Sequence, residues 1–148
     1  MCSLFFIVGC ATDEEENKIK VYFDKVNFET KRTQWLTQNL QNYQYRYEHS
    51  SSNGPYQFDV IVENGVVTSE KGVTIDKMFE QIETSYLQLV QQYGNQKTGL
   101  VKAVYYIVRY NSEYHFPERI SISFDFSELP PPGYGGQSNE VTDFQITE

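Results

Sequence analysis

Apolar residues recur at helical spacing from Ile75 to Tyr93. Ile75, Met78, Phe79, Ile82, Tyr86, Leu89, Val90 and Tyr93 form one stripe, and such a stripe needs a surface to bury against. Thr74 is the expected N-cap, Asp76 suits the positive end of the helix dipole, and Gly94 ends the pattern. A thinner stripe of Phe28, Arg32, Trp35, Leu36 and Leu40 predicts an earlier helix. Its expected cap is Asn27, with a start near Asp24 as the alternative, because Ile19, Val21 and Phe23 fit strand or helix equally. Trp35 reads as a core residue packed on a sheet.

Between and after these helices the period changes to two. Tyr43, Tyr45 and Tyr47 alternate with Gln44, Arg46 and Glu48, and Tyr56, Phe58, Val60 and Val62 alternate again. Asn64-Gly65 predicts a type I′ hairpin turn, which needs positive φ at both positions, and Val66-Val67-Thr68 starts a third strand. Leu100 to Tyr110 is apolar on both faces, as a central strand would be. Asn111 to Pro117 turns the chain. Ile120, Ile122, Phe124 and Phe126 alternate with polar residues, and Val141 to Thr147 makes a last strand. Pro and Gly crowd Leu129 to Ser138, where no ladder is expected.

The predicted class is α+β, with two helices on one face of a mainly antiparallel sheet in the order α-βββ-α-βββ. The two halves suggest a duplicated α-βββ unit. One domain is expected over residues 24–148, preceded by a signal-like segment at 1–10 and an acidic flexible tether at 11–23.

A chain of 148 residues buries enough surface to fold without a metal or a disulfide. Twelve Tyr and ten Phe reinforce the lean toward strands. The net charge of −8 repels nucleic acid and anionic head groups, and no basic cluster offsets it. The two cysteines, Cys2 and Cys10, lie in the first ten residues, so neither a disulfide framework nor a Cys-based metal site is expected in the folded part.

Leu4-Phe5-Phe6-Ile7-Val8-Gly9-Cys10 is an apolar run ending in a small residue and a cysteine. Ile7-Val8-Gly9-Cys10 resembles the lipobox of bacterial lipoproteins. That resemblance implies cleavage before Cys10, acylation of its thiol and usually of the new amino group, and palmitate-type anchoring to a membrane. A complete signal peptide opens with basic residues and is longer, so a leader beginning upstream is expected. A buried strand from Leu4 to Val8 is the plainer alternative. The run is too short to span a bilayer as a helix. Asp13-Glu14-Glu15-Glu16-Asn17 reads as a tether, and acidic residues after such a cysteine resemble the surface-export signal of some Gram-negative lipoproteins. A simple solvated spacer fits the same residues.

Trp35, Asn42-Tyr43 with Tyr45, Val60 to Asn64-Gly65, Thr74-Ile75-Asp76 with Met78-Phe79, Tyr110-Asn111 to Pro117, and Thr142-Asp143-Phe144 together resemble a family of small predicted bacterial lipoproteins of unknown function. The resemblance runs over roughly residues 27 to 146. It implies a single small domain in the bacterial cell envelope, with the outer membrane favoured, and it brings no catalytic residues. At His115 it implies Gly before the aromatic-Pro pair. The α-βββ halves are also similar in architecture to the repeats of small secreted inhibitor and propeptide-type domains, an analogy that fixes no function.

Candidate chemistry is sparse. His49 and His115 are far apart in sequence and each sits by a turn, so no metal and no cofactor is expected. The carboxylates Asp59 and Glu63, or Asp125 and Asp143 on neighbouring strands, would offer a hydrolase pair, although such residues commonly line a solvated sheet face. The tyrosine excess points instead to a contact surface, with Tyr43, Tyr45, Tyr47 and Tyr134 as candidate binding residues and strand packing as the competing explanation. Three functions remain open. The first is a lipid-anchored, non-catalytic module binding an envelope protein or glycan, or supporting envelope structure, with Cys10 as the lipid attachment. The second is an inhibitor-like module acting on a periplasmic enzyme, and the third is a carboxylate hydrolase.

Overall fold

The computed structural model describes residues 17–130, 132 and 135–148. Cys10, Tyr134, the segment 1–10 and residues 11–16 of the predicted tether lie outside them. The elements are β1 (Lys20–Tyr22), α1 (Lys25–Gln38), β2 (Tyr43–Ser50), β3 (Tyr56–Glu63), β4 (Val66–Val67), α2 (Ile75–Tyr93), β5 (Val101–Tyr110), β6 (Pro117–Phe126) and β7 (Gln137–Ile146). The fold is α+β. One mixed sheet has the order β1-β5-β6-β7-β2-β3-β4, parallel between β1 and β5 and antiparallel elsewhere.

α2 follows its stripe. Thr74 Oγ1 accepts from the Lys77 amide at 3.1 Å, and Ile75, Met78, Phe79, Ile82 and Leu89 are buried. Each such side chain contributes about 1.5–3 kcal/mol. Gly94 ends the helix, but in the right-handed region rather than the left-handed one. α1 starts one turn earlier than the Asn27 cap predicts: Asp24 is the cap, accepting the Asn27 amide at 3.0 Å. A carboxylate just ahead of the first turn serves the free amides at least as well as the Asn27 amide group. Only Phe28 and Trp35 of α1 are buried, and Leu36 is exposed.

Tyr43, Tyr45, Val60 and Val62 are buried beside Phe28, Trp35, Phe79 and Val104 in one core, so α1 and α2 share a sheet face. Phe28 meets Phe79 at 5.8 Å, and Trp35 meets Tyr43 edge-on at 5.6 Å. The hairpin turn forms as predicted, with φ of 52° at Asn64 and 75° at Gly65.

Three expectations change. Lys20–Tyr22, inside the predicted tether, forms β1, and Ile19 beside it is buried, so the ordered chain begins before residue 24. The alternation of Ile19, Val21 and Phe23 fits strand or helix equally, and pairing with β5 decides for strand. β5, read as a central strand, lies second from the edge, with only the three residues of β1 outside it among the described residues. The duplicated unit also fails on strand direction. β5-β6-β7 and β2-β3-β4 cross the sheet in the same order, yet β2 runs antiparallel to β7 and therefore to β5. A copy that keeps both strand order and helix face cannot reverse its strands.

β7 contains the main irregularity. Its register to β2 shifts between Gln44 and Arg46, where Asp143 has a φ of 52°. This bulge turns Asp143 to the helix-free face and Phe144 into the core. There Phe144 packs 4.5 Å from Phe116 and 5.6 Å from Tyr43.

Candidate functional site

Three of the residues that carry the family-like pattern, Trp35, Tyr43 and Tyr45, converge at the start of α2. Trp35 Nε1 donates to Asp76 Oδ1 at 2.6 Å, and the Ile75 amide donates to the Tyr43 hydroxyl at 2.9 Å. The Tyr45 hydroxyl donates to the Val73 carbonyl. Asn42 Oδ1 accepts the Asn64 amide at 2.7 Å, which ties the hairpin to β2. Asn111 Oδ1 accepts the amides of Glu113 and Tyr114 in the β5–β6 turn. These are structural contacts: those of Tyr43, Asn42 and Asn111 serve helix and turn amides, and the Tyr45 hydroxyl serves the Val73 carbonyl.

Two predicted binding residues are thereby removed from the surface. Tyr43 and Tyr45 are each 2% exposed. Period-two alternation marks one face of β2, but it cannot tell whether a helix covers that face. Burial, the larger effect, pushes the Tyr43 phenol up to about 12 and Tyr45 higher still. Tyr47 is half-buried, faces Phe58 across the strands at 5.2 Å, and lines a groove under α2 with Met78 and Tyr106. Burial raises the Tyr47 and Tyr106 phenols to about 12.

Asp125 and Asp143 do not converge, whereas Asp59 and Asp143 meet on one arginine. β6 and β7 pair from Arg119↔Glu140 to Ile122↔Gln137, with Asp143 beyond one end and Asp125 beyond the other. At ~3.3 Å per residue, Arg119 to Asp125 alone spans about 20 Å. Asp59 and Asp143 both bind Arg46, at 2.9 and 3.1 Å, and the hydrogen bond to Asp59 is the main cause of the raised guanidinium pKa. His49 contacts Asn139 and stacks on Tyr56 at 4.6 Å, while His115 sits 3.4 Å from Lys31 at the other turn. Among the described residues, no group of three or more His, Cys, Asp or Glu is placed to hold a metal.

The helix-free face divides into two parts. Over β6, β7, β2 and β3 it is mainly polar and self-paired, with Ile61 as an exposed apolar residue: Arg119 binds Glu140 at 3.1 Å, Thr142 binds Glu48 at 3.1 Å, and Gln44 binds Gln145 at 3.0 Å. At β1 and β5 it is apolar. Tyr22 stacks on Tyr105 at 5.0 Å, and Tyr22, Tyr105 and Ile107 are 47%, 37% and 47% exposed. β1 covers β5 only from Ala103 to Tyr105, so among the described residues the edge from Tyr106 to Tyr110 pairs with no strand. A cleft of about 450 Å³ opens along that edge, lined by Asp24, Asn27, Tyr106, Val108 and Tyr110 among others. The Tyr110 hydroxyl is buried without a hydrogen-bond partner, and burial pushes its pKa strongly up, with Asp24 adding to the shift.

One signal for this edge was present in the sequence. Leu100 to Tyr110 is apolar on both faces, yet only one face receives helices. Which strand would lie outside it could not be read from local pattern.

No curated protein and no solved structure matches the chain. Residues 27–128 match a family of unknown function, DUF6174. The matched stretch runs from the first turn of α1 past the end of β6 and leaves β1 and β7 outside.

Proposed function

The chain belongs to the DUF6174 family, whose function is unknown, and we propose that it is a non-catalytic binding domain held on a bacterial envelope membrane by acyl chains on Cys10. The outer membrane is the favoured location. The observation that carries the binding reading is the apolar, unpaired end of β5 on a sheet face that is elsewhere mainly polar and self-paired. Exposed apolar groups gathered beside an open strand edge suit a protein contact better than solvent.

The anchor reading rests on Ile7-Val8-Gly9-Cys10 and the acidic residues after it. The Asn17 carbonyl accepts the Thr98 amide at 2.7 Å, so the chain enters the fold beside the start of β5. From Cys10 to Asn17 a fully extended chain reaches at most about 25 Å. The tether end of β5 therefore stays near the membrane, and Tyr106 to Tyr110 point to the far end of the strand.

Nothing specific favours the inhibitor-like or hydrolase alternatives; the separation of Asp125 from Asp143 weighs against the latter. The test expresses the chain behind a complete basic leader, with and without Cys10→Ser. Wild type should take up labelled palmitate and partition into detergent, since multiple acyl chains anchor stably, while the variant should do neither. Equal labelling of both proteins would refute the anchor.

A further inference from the structure

We propose that the open edge of β5, Tyr106 to Tyr110, takes an extended peptide as an added strand, and that this peptide carries a carboxylate opposite Arg109 and an apolar side chain opposite Ile107. The inference rests on the binding reading above and names the partner of that surface.

An unpaired edge presents alternating N–H and C=O groups that another extended backbone satisfies. β1 shields only Ala103 to Tyr105 and then turns into α1, which among the described residues leaves five residues of β5 without a strand beside them. The cleft there has room for a backbone, and the Tyr110 side chain forms part of its lining. The two sides of an added strand would meet different surfaces. One side faces Tyr106, Val108 and Tyr110. The other faces the exposed row Tyr105, Ile107 and Arg109.

Arg109 supplies the charge selection. It lies directly across from Arg119, a like-charge cross-strand pair, and Arg119 is already bound to Glu140. Among the described residues Arg109 has no ion pair. Arg109 shares a groove on the β6 side with Glu113, Glu118 and Glu140, none of them within ion-pair distance, and a carboxylate on the incoming strand would occupy the position on its other side. Antiparallel addition, the more stable pairing, sets the acidic residue two positions before the apolar one in the peptide. A second copy of the chain is a poorer occupant. Antiparallel pairing of the same five residues sets each Arg109 opposite Ile107 of the other copy, supplies no counter-charge, and brings together two chains of net charge −8.

The test uses a labelled heptapeptide that alternates valine with polar residues and carries aspartate two positions before the outward valine, and a twin with lysine for aspartate. Wild type should bind the aspartate peptide several-fold to about tenfold more tightly, the scale of a cross-strand charge pair against a like-charge one. Arg109→Glu, on an exposed position, should reverse the preference. Hydrogen exchange by NMR should show new protection within Tyr106 to Tyr110. Equal affinity for the two peptides, or no reversal in Arg109→Glu, overturns the charge selection. Shifts confined to the Tyr22, Tyr105 and Ile107 side chains, with the amides unprotected, overturn strand addition and leave the binding reading intact. Dimerisation of the free protein that protects the same amides assigns the edge to self-association and overturns the peptide proposal. No shift with either peptide overturns both readings.

Discussion

Replacing Tyr43 with Phe separates a structural tyrosine from a binding one. The ring is buried at 2% exposure, against Trp35 and Phe144, and its hydroxyl accepts the Ile75 amide at 2.9 Å. Ile75 is the first residue of α2, and its amide has no partner within the helix. Phe keeps the ring and its packing but removes the acceptor, so a buried N–H is left unsatisfied. That costs about 1–3 kcal/mol. For a domain of this size the melting temperature should fall by about 4 °C per kcal/mol, or roughly 4–12 °C in all. Tyr47→Phe is the matched control: Tyr47 is half-buried, its hydroxyl makes no hydrogen bond among the described residues, and its loss should stay within about 0.5 kcal/mol. Urea and thermal unfolding of both variants give the comparison. The reasoning is refuted if Tyr43→Phe is no less stable than Tyr47→Phe. A Tyr43→Phe variant of unchanged stability with lost partner binding would restore Tyr43 as a contact residue.

His115 has a φ of 64°, in the left-handed region where glycine is favoured, which explains why the family resemblance implies Gly there. His115→Gly should stabilise by about 0.5–1 kcal/mol, the relief of Cβ strain less the added freedom of an unfolded glycine; His115→Ala, which keeps the Cβ, should give no gain in the same urea titration. The phenols of Tyr43, Tyr47 and Tyr106 are raised from the ordinary value near 10 to about 12, so the folded state holds their protons more tightly than the unfolded state. The stability they contribute is fully present below pH 10 and is lost as pH rises toward 12. In an alkaline titration, exposed phenols should ionise first and the buried ones only as circular dichroism reports unfolding; simultaneous ionisation of every tyrosine with the fold intact would contradict this.

Local pattern carried a large part of the fold. The α2 stripe and its Thr74 cap, the Asn64-Gly65 turn and the alternation along β2, β3 and β6 depend on neighbours within a few residues, and those neighbours are set by the sequence alone. Long-range pairing was a different matter. Nothing local says that β7 enters between β6 and β2, that β1 pairs in parallel with β5, or that β2 runs against β5 and defeats a duplication. The same limit governed the tyrosines. Alternation put Tyr43, Tyr45 and Tyr47 on one face, but only the docking of α2 against that face buried the first two and turned their hydroxyls to Ile75 and Val73. Conversely, the two-sided apolar character of β5 was legible, while its open edge and the unpaired Arg109 beside it were decided by where β1 stops. Side-chain period is a property of one strand, whereas exposure is a property of what the rest of the chain lays over it.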